Sequence, residues 1–243
     1  MKLLAIDSST KWASVAIFKD GHCLIEKKSD LQKSHSELLN SLVHSCLEEL
    51  RWSLNDLDAY AVTSGPGSFT GLRIAGNIVK TWSYIYKKPI FAVDSLSVLA
   101  FSVADQKNKD QIILPVINAY KNMVYTKFFD SLLNVLKPVH ALFVKDLQPW
   151  EITKQHILVG DGYAQYKDYI FSQNKDLIFR SDNNPDYPLA SALGHLILSW
   201  KKNTLSLSMM QDIQTLDWNS FQPLYVRASE AEENQQGITY RPL

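Results

Sequence analysis

The sequence is poor in the residues that build cross-linked or metal-centred proteins. Only two of its 243 residues are cysteine, Cys23 and Cys46, which leaves no disulfide framework and no Cys-x-x-Cys motif. Both lie in apolar surroundings, on a predicted strand and a predicted helix, and read as buried free thiols of a reducing compartment. The six histidines (His22, His35, His44, His140, His156, His195) never fall four apart on one helix face. His35 and His44 share a predicted helix segment but are too far apart along it to hold one ion, so no metal site is expected. An excess of one charge sign is also absent. Lys+Arg and Asp+Glu number 25 each, which argues against a stand-alone nucleic-acid binder but not against a local basic patch. Long hydrophobic runs are missing. The first, Leu3-Leu4-Ala5-Ile6, stops at Asp7. It is too short for the core of a signal peptide and far too short to span a bilayer, and no later run reaches that length. A cytoplasmic protein with no membrane partner is expected.

Familiar catalytic strings are absent as well. Gly67-Ser68 is followed by Phe69-Thr70-Gly71 and makes no Gly-x-Ser-x-Gly elbow, and no Gly-Lys-Ser/Thr follows to make a P-loop. What is present is the stretch Ser64-Gly65-Pro66-Gly67-Ser68-Phe69-Thr70-Gly71-Leu72-Arg73. It follows the apolar run Ala59-Tyr60-Ala61-Val62 and opens a helix-like segment from Gly71 to Lys87. Gly65, Gly67 and Gly71 with Pro66 supply a sharp turn from strand to helix. The outward amides at the head of that helix offer an anion site as a second reading. Apolar residues make up 46% and charged residues 21% of the chain, ordinary for a globular protein of one large or two small domains.

Residues 2–7 read as a short buried strand ending in Asp7-Ser8-Ser9-Thr10. Strands over 13–18 and 22–28 follow, joined by the Asp20-Gly21 hairpin signal. Three short strands with an acidic, hydroxyl-rich first turn open an actin-like or ribonuclease-H-like half. Asp7 would there face a metal–phosphate position with Ser8, Ser9 and Thr10 beside it; otherwise Asp7 caps a turn. Ser34 and Glu37 form a capping box before a first helix, a strand covers 58–63, and a second strand covers 90–94. A helix over 95–104 is capped by Asp94 or Ser95. The polar run 105–110 marks a boundary. Beyond it the order restarts, with strands over 112–117, 124–129, 135–142 and 156–159, a short helix within 143–153, and helices over 163–171 and 190–201. The fold class is α/β, actin-like or ribonuclease-H-like (the ASKHA group): two lobes, duplicated βββαβα units and mixed sheets. The lobes are expected at 1–104 and 105–222, the last helix of the second being free to pack back on the first. The segment 223–243 follows, its final residues polar.

Two helices have unusually wide apolar faces. Leu38, Leu39, Leu42, Val43, Cys46, Leu47 and Leu50 cover an arc of roughly 180°, and Leu72, Ile74, Ala75, Ile78, Val79, Trp82, Ile85 and Tyr86 roughly 160°, against about 100° for one buried face. Either both lie deep in one core, or each touches its own sheet on one edge and another protein on the other. A nucleotide-hydrolysing site is thinly equipped. The second half offers Ile117-Asn118-Ala119-Tyr120 after its first strand, with neither carboxylate nor glycine, and Gly160-Asp161-Gly162 is the one turn left for the nucleotide side. Asp7 to Thr10 are then a degenerate phosphate-loop remnant. No cofactor is expected, and ATP binds at most weakly.

Four strings, in order, resemble the bacterial TsaB family, formerly YeaZ. They are Leu4-Ala5-Ile6-Asp7-Ser8-Ser9, His35-Ser36-Glu37-Leu38-Leu39, Gly65-Pro66-Gly67-Ser68-Phe69-Thr70-Gly71-Leu72-Arg73-Ile74 and Pro223-Leu224-Tyr225-Val226-Arg227. The chain departs at Asn118-Ala119-Tyr120, where the family commonly reads Asp-Ala-Arg. The resemblance implies an actin-like protein without catalytic activity, paired with the related TsaD subunit and helped by the ATPase TsaE. Their complex transfers a threonylcarbamoyl group from its adenylate to the adenosine beside the tRNA anticodon. It also implies that the first two helices carry the partner contact, through Leu38, Leu39, Leu42, Cys46, Ile74, Ile78, Trp82 and Ile85. A homodimer is expected when the chain is alone, and tRNA is reached through the complex. The alternatives are an actin-like ATPase or small-molecule kinase and, with no support from the residues, a peptidase.

Overall fold

The computed structural model describes residues 1–29, 35–104, 111–147, 156–173, 178–179 and 186–227. The Ser34–Glu37 capping box, the polar run 105–110, most of the segment 143–153 and the tail beyond 227 therefore lie outside the described side chains.

The first half folds as β1 (Lys2–Asp7), β2 (Ser14–Lys19), β3 (His22–Lys28), α1 (His35–Leu50), β4 (Ala59–Gly65), α2 (Phe69–Tyr86), β5 (Ile90–Asp94) and α3 (Ser95–Ser102). The second follows as β6 (Ile112–Asn118), β7 (Met123–Phe129), β8 (Val135–Phe143), β9 (His156–Val159), α4 (Asp161–Gln173), β10 (Ile178–Phe179) and α5 (Ala190–Lys201). Two short elements end the series, α6 (Leu207–Gln211) and β11 (Ile213–Leu216). Asp20 and Gly21 both take positive φ (50° and 93°) in a two-residue turn that sets Lys19 against His22. Asp94 caps α3, its carboxylate accepting from Ser97 N at 2.9 Å, and Ser68 caps α2 through Gly71 N at 3.2 Å.

Both sheets carry the same plan. The first runs β11-β5-β4-β1-β2-β3 and the second β10-β9-β6-β7-β8. In each, an antiparallel three-strand meander begins on a strand whose other side pairs in parallel with a later one, β1 with β4 and β6 with β9. This is the duplication inferred from element order. Strand β1 is buried from Leu3 to Asp7, as a strand covered on both faces must be.

The helices divide into layers. α1 and α2 cover the outer face of the first sheet, and α4 covers the outer face of the second. Helices α3 and α5 lie between the sheets and contact each other. α3 follows the first sheet but packs on β6, while α5 follows the second and packs on β1 and β2. A helix between two sheets must be apolar all round, and Ser95 to Ala100 of α3 are all buried. One core therefore runs through both lobes, from Leu3 and Phe18 through Leu96 and Leu193 to Ile113 and Phe129.

The last long helix packs back on the first lobe, as the sequence reading left open, and the segments after it were not foreseen there. After Ala190 three segments meet the first lobe: α5 lies on β1, β11 extends the first sheet beside β5, and Phe221 is buried with α1 and α2. Strand β11 was missed because it is four residues long with exposed polar residues at its centre. The cysteine expectation is half corrected. Cys46 is buried, but Cys23 on edge strand β3 is only partly covered. Of the segment 143–153 only 143–147 are described, and there a 3₁₀ turn spans Val144–Asp146.

A buried charged cluster also ties the lobes. Lys127 of β7 donates to Asp212 Oδ2 (2.6 Å), Asp94 Oδ2 (3.0 Å) and Ser97 Oγ (3.2 Å), and the Ser97 hydroxyl lies within reach of both carboxylates. Burial alone would lower the Lys127 pKa, but Asp94 and Asp212 hold it above its ordinary value. Burial, then the Asp94 charge, raises that of Asp212. Such a cluster adds little net stability over apolar packing, yet breaking it strands the remaining charges. Lys127→Met should therefore cost about 3–5 kcal/mol in urea unfolding. An unchanged midpoint would show that the cluster is solvated.

Candidate functional site

The site grows from the turn after β4. An added Cβ at Gly67 would lie 2.0 Å from Ser9 O, and one at Gly71 1.9 Å from Ser8 O. Only glycine lets the head of α2 sit on the turn that follows β1. Ser68 N then donates to Ser9 O at 2.6 Å, and the Ser8 hydroxyl to Gly71 O at 2.8 Å. Of the two readings left open by the sequence, this turn is a close backbone-to-backbone joint.

The joint changes what Asp7, Ser8, Ser9 and Thr10 can do. All four are buried. Asp7 Oδ1 accepts from Thr63 Oγ1, from Ser9 Oγ at 2.7 Å and from Ser9 N at 3.3 Å, and Thr10 Oγ1 accepts from Trp12 N at 3.3 Å. The hydroxyls that would line phosphates are thus engaged within the turn or on α2. Across the lobes, Asn118 N donates to Asp161 Oδ1 at 2.9 Å, and Asn118 Oδ1 accepts from Tyr120 N at 2.9 Å and Tyr166 OH at 3.3 Å. At the two positions read as phosphate turns, the head of α2 packs on Ser8 and Ser9, and Asn118 ends β6 where a carboxylate was sought. Among the described residues no group of three His, Cys, Asp or Glu is placed to hold a metal ion, and no helix is long and apolar enough to cross a membrane.

The wide helix faces separate into two kinds of residue. Leu39 and Cys46 are 0% exposed in the first lobe's own core, so they are corrected from contact residues to core residues. Leu38, Leu42, Ile74, Ile78 and Trp82 are half-buried, and Ile85 is 57% exposed. Helices α1 and α2 are neighbours, so these side chains border one surface. The structure adds Tyr84, 53% exposed, whose ring meets Trp218 edge-on at 5.0 Å. Trp218 lies in the polar string Asp217-Trp218-Asn219 and carried no periodic signal.

At the other end of α2 the strap 217–227 crosses from lobe to lobe. Phe221 fills the space left by Gly76, Leu224 N donates to Ser64 O at 2.7 Å, and Arg227 donates to the Ala119 carbonyl on the β6–β7 hairpin. Arg73 is exposed. Its guanidinium lies 3.9 Å from the centre of the Phe69 ring, and its Nε donates to Tyr225 OH at 3.1 Å. The glycine turn, the hairpin and the strap enclose a cleft of about 390 Å³. The glycine turn, Asn118-Ala119-Tyr120 and the string Pro223-Leu224-Tyr225-Val226-Arg227 each stood out in the sequence; that they meet depends on contacts between residues distant in sequence.

Such a molecule is a two-lobed, actin-like α/β protein. A family model described as "TsaD: tRNA N6-adenosine threonylcarbamoyltransferase" matches residues 29–235. The tRNA threonylcarbamoyladenosine biosynthesis protein TsaB of Bacillus subtilis is 34% identical over 57% of this chain, which spans 59% of that relative's length. TsaB of Buchnera aphidicola from Schizaphis graminum is 32% identical over 68% of this chain and 80% of its own. The crystal structure of YeaZ from Pseudomonas aeruginosa superposes with a TM-score of 0.71 at 22% identity, covering 92% of this chain and all of that one. The chain belongs to the TsaB (YeaZ) family.

Burial raises the Asp7 carboxyl from 3.8 to about 6, with Asp161 adding to the rise and bonds from Thr63 and Ser9 opposing it. Asp161 is likewise raised to about 6, chiefly by burial. With the folded pKa above the unfolded one, Asp7 favours folding fully below pH 4, and that contribution is lost as pH rises through 6. Asp7→Asn should therefore gain up to about 3 kcal/mol at pH 7 and little at pH 4. Urea unfolding at the two pH values checks this, and an equal change at both would contradict it.

Proposed function

We propose that this chain is a non-catalytic subunit in the biosynthesis of threonylcarbamoyladenosine in tRNA. In this reading it is cytoplasmic, pairs with a TsaD-like paralogue, works with a TsaE-like ATPase and reaches tRNA through that complex. Alone, it forms a homodimer through the same surface. The observation that carries the reading is the open apolar face of α1 and α2, where Ile85 and Tyr84 stand exposed beside half-buried Ile74, Ile78 and Trp82. Covering a side chain of this kind contributes roughly 1.5–3 kcal/mol. The covered phosphate turn supports the absence of a nucleotide cofactor, and the shared core between lobes opposes the hinge opening that a nucleotide cycle uses. The subunit would act by holding its partner in a competent arrangement.

A second reading, an actin-like ATPase or small-molecule kinase, draws on Asp7 Oδ2, which is buried without a hydrogen-bond partner. Magnesium-dependent nucleotide turnover abolished by Asp7→Ala would favour it.

Light scattering of the chain alone should give a dimer, and mixing with a TsaD subunit should give a heterodimer. The double substitution Ile78→Asp with Ile85→Asp should weaken both associations about 100-fold or more, the effect of losing one or two central contacts. A monomer that ignores TsaD, or a double variant that still pairs normally, would refute the interface.

A further inference from the structure

We propose that Tyr84 and Trp218 form the anchor at which the partner subunit is held, taking from the TsaD-like paralogue an apolar side chain flanked by a carboxylate. This rests on the docking reading above and adds to it a second flank of α2. At about 100° per residue, Ile74, Ile78, Trp82 and Ile85 fall within about 80° of one another, while Tyr84 falls about 100° from Ile85. That is the side on which α2 meets the strap. Gly76 there leaves room for the Phe221 ring, and Lys80 donates to the Phe221 carbonyl at 3.2 Å.

The strap lies antiparallel along this side of α2. Trp218 meets Tyr84 near the end of the helix, Phe221 meets Gly76 and Lys80, and Tyr225 meets Phe69 at the head with ring centres 4.8 Å apart. Trp218 is therefore held from both directions. Leu216 before it pairs with Ile90 of β5, and Phe221 after it is buried. Asp217 closes the turn between them, its Oδ1 accepting from Asn219 N at 3.0 Å, Ser220 N at 2.7 Å and the Ser220 hydroxyl.

A single exposed apolar ring is ordinary. Here Trp218 is 40% exposed, its ring touches that of exposed Tyr84, and exposed Ile85 follows Tyr84 in the chain. The apolar surface of α1 and α2 thus continues around the end of α2 onto the strap. Because the strap is already fixed, covering these rings costs little further ordering. Tryptophan and tyrosine held in this way are the side chains that carry most of the energy of an interface. Charge then decides between a paralogue and a second copy. The Lys87 ammonium lies 4.4 Å from the centre of the Tyr84 ring, and Lys80 lies one turn before Tyr84. The carboxylate beside Trp218 in the chain, Asp217, spends Oδ1 on its own turn. A two-fold pairing centred on this corner would set Lys87 against its own copy. A partner of different sequence replaces that repulsion with attraction by bringing a carboxylate.

Calorimetric titration of a TsaD subunit with the full chain tests this. Trp218→Ala and Tyr84→Ala should each weaken the heterodimer about tenfold or more, the scale of a truncated central contact, and Trp218→Phe, which keeps a ring, about threefold or less. Leu136→Ala, on the edge strand of the second sheet, should leave it unchanged. Hydroxyl-radical oxidation of Trp218 in the unaltered chain should fall when TsaD is bound. That readout does not depend on any variant folding, and a residue with only a structural role would not show it. Unchanged oxidation overturns the anchor. So does a Trp218→Ala chain that pairs normally while the Ile78→Asp, Ile85→Asp double variant does not, an outcome that leaves the docking reading standing. If none of these substitutions weakens pairing, both fall. A Trp218→Ala chain that loses only the homodimer gives the anchor to a second copy and overturns its assignment to the paralogue.

Discussion

The contact between two backbone segments, Gly67 and Gly71 against the carbonyls of Ser9 and Ser8, organises this molecule. Any side chain at either glycine would overlap a carbonyl oxygen that is itself fixed by β1. The consequence is twofold. The turn after β1 spends its hydrogen-bonding groups on the head of α2 and within itself. Helix α2, anchored at its head, leaves the far edge of its apolar face beyond the sheet, with Ile85 and Tyr84 in solvent. A covered turn after β1 and an exposed apolar edge on α2 thus follow from one short joint.

The two lobes do not behave as separate bodies. Each gives its last helix to the other, and α3 and α5 fill the space between the sheets. Lys127, Asp94 and Asp212 meet within that layer, where a misplaced charge costs far more than a well-placed one contributes. The strap adds a third tie through Arg227 and the Ala119 carbonyl. An actin-like fold gains its nucleotide chemistry by hinging, and a shared core of this kind favours one fixed arrangement instead.

Legibility from the sequence varied with the range of the interaction involved. Turn and cap chemistry is local, so the Asp20-Gly21 hairpin and the Asp94 cap could be read directly. The repeated strand order was also readable, because each strand announces itself by a short apolar run between turn residues. The places of β11 and Trp218 were not, since β11 is a short edge strand and Trp218 sits among polar neighbours. At the candidate interface, Leu39 and Cys46 could not be told from Leu42 and Ile85. All are apolar and at helical spacing, and spacing says which residues share a helix, not what covers them.

By itself the sequence determined the class of elements, their order and the position of the glycine joint, because propensity, periodicity and turn geometry act between residues close in the chain. Tertiary structure alone decided which apolar side chains stay uncovered, where the lobes are pinned, and that Phe69, Arg73 and Tyr225 meet at the head of α2. Those outcomes depend on distances between segments as much as 176 residues apart, and such distances exist only once the sheets and helices have packed.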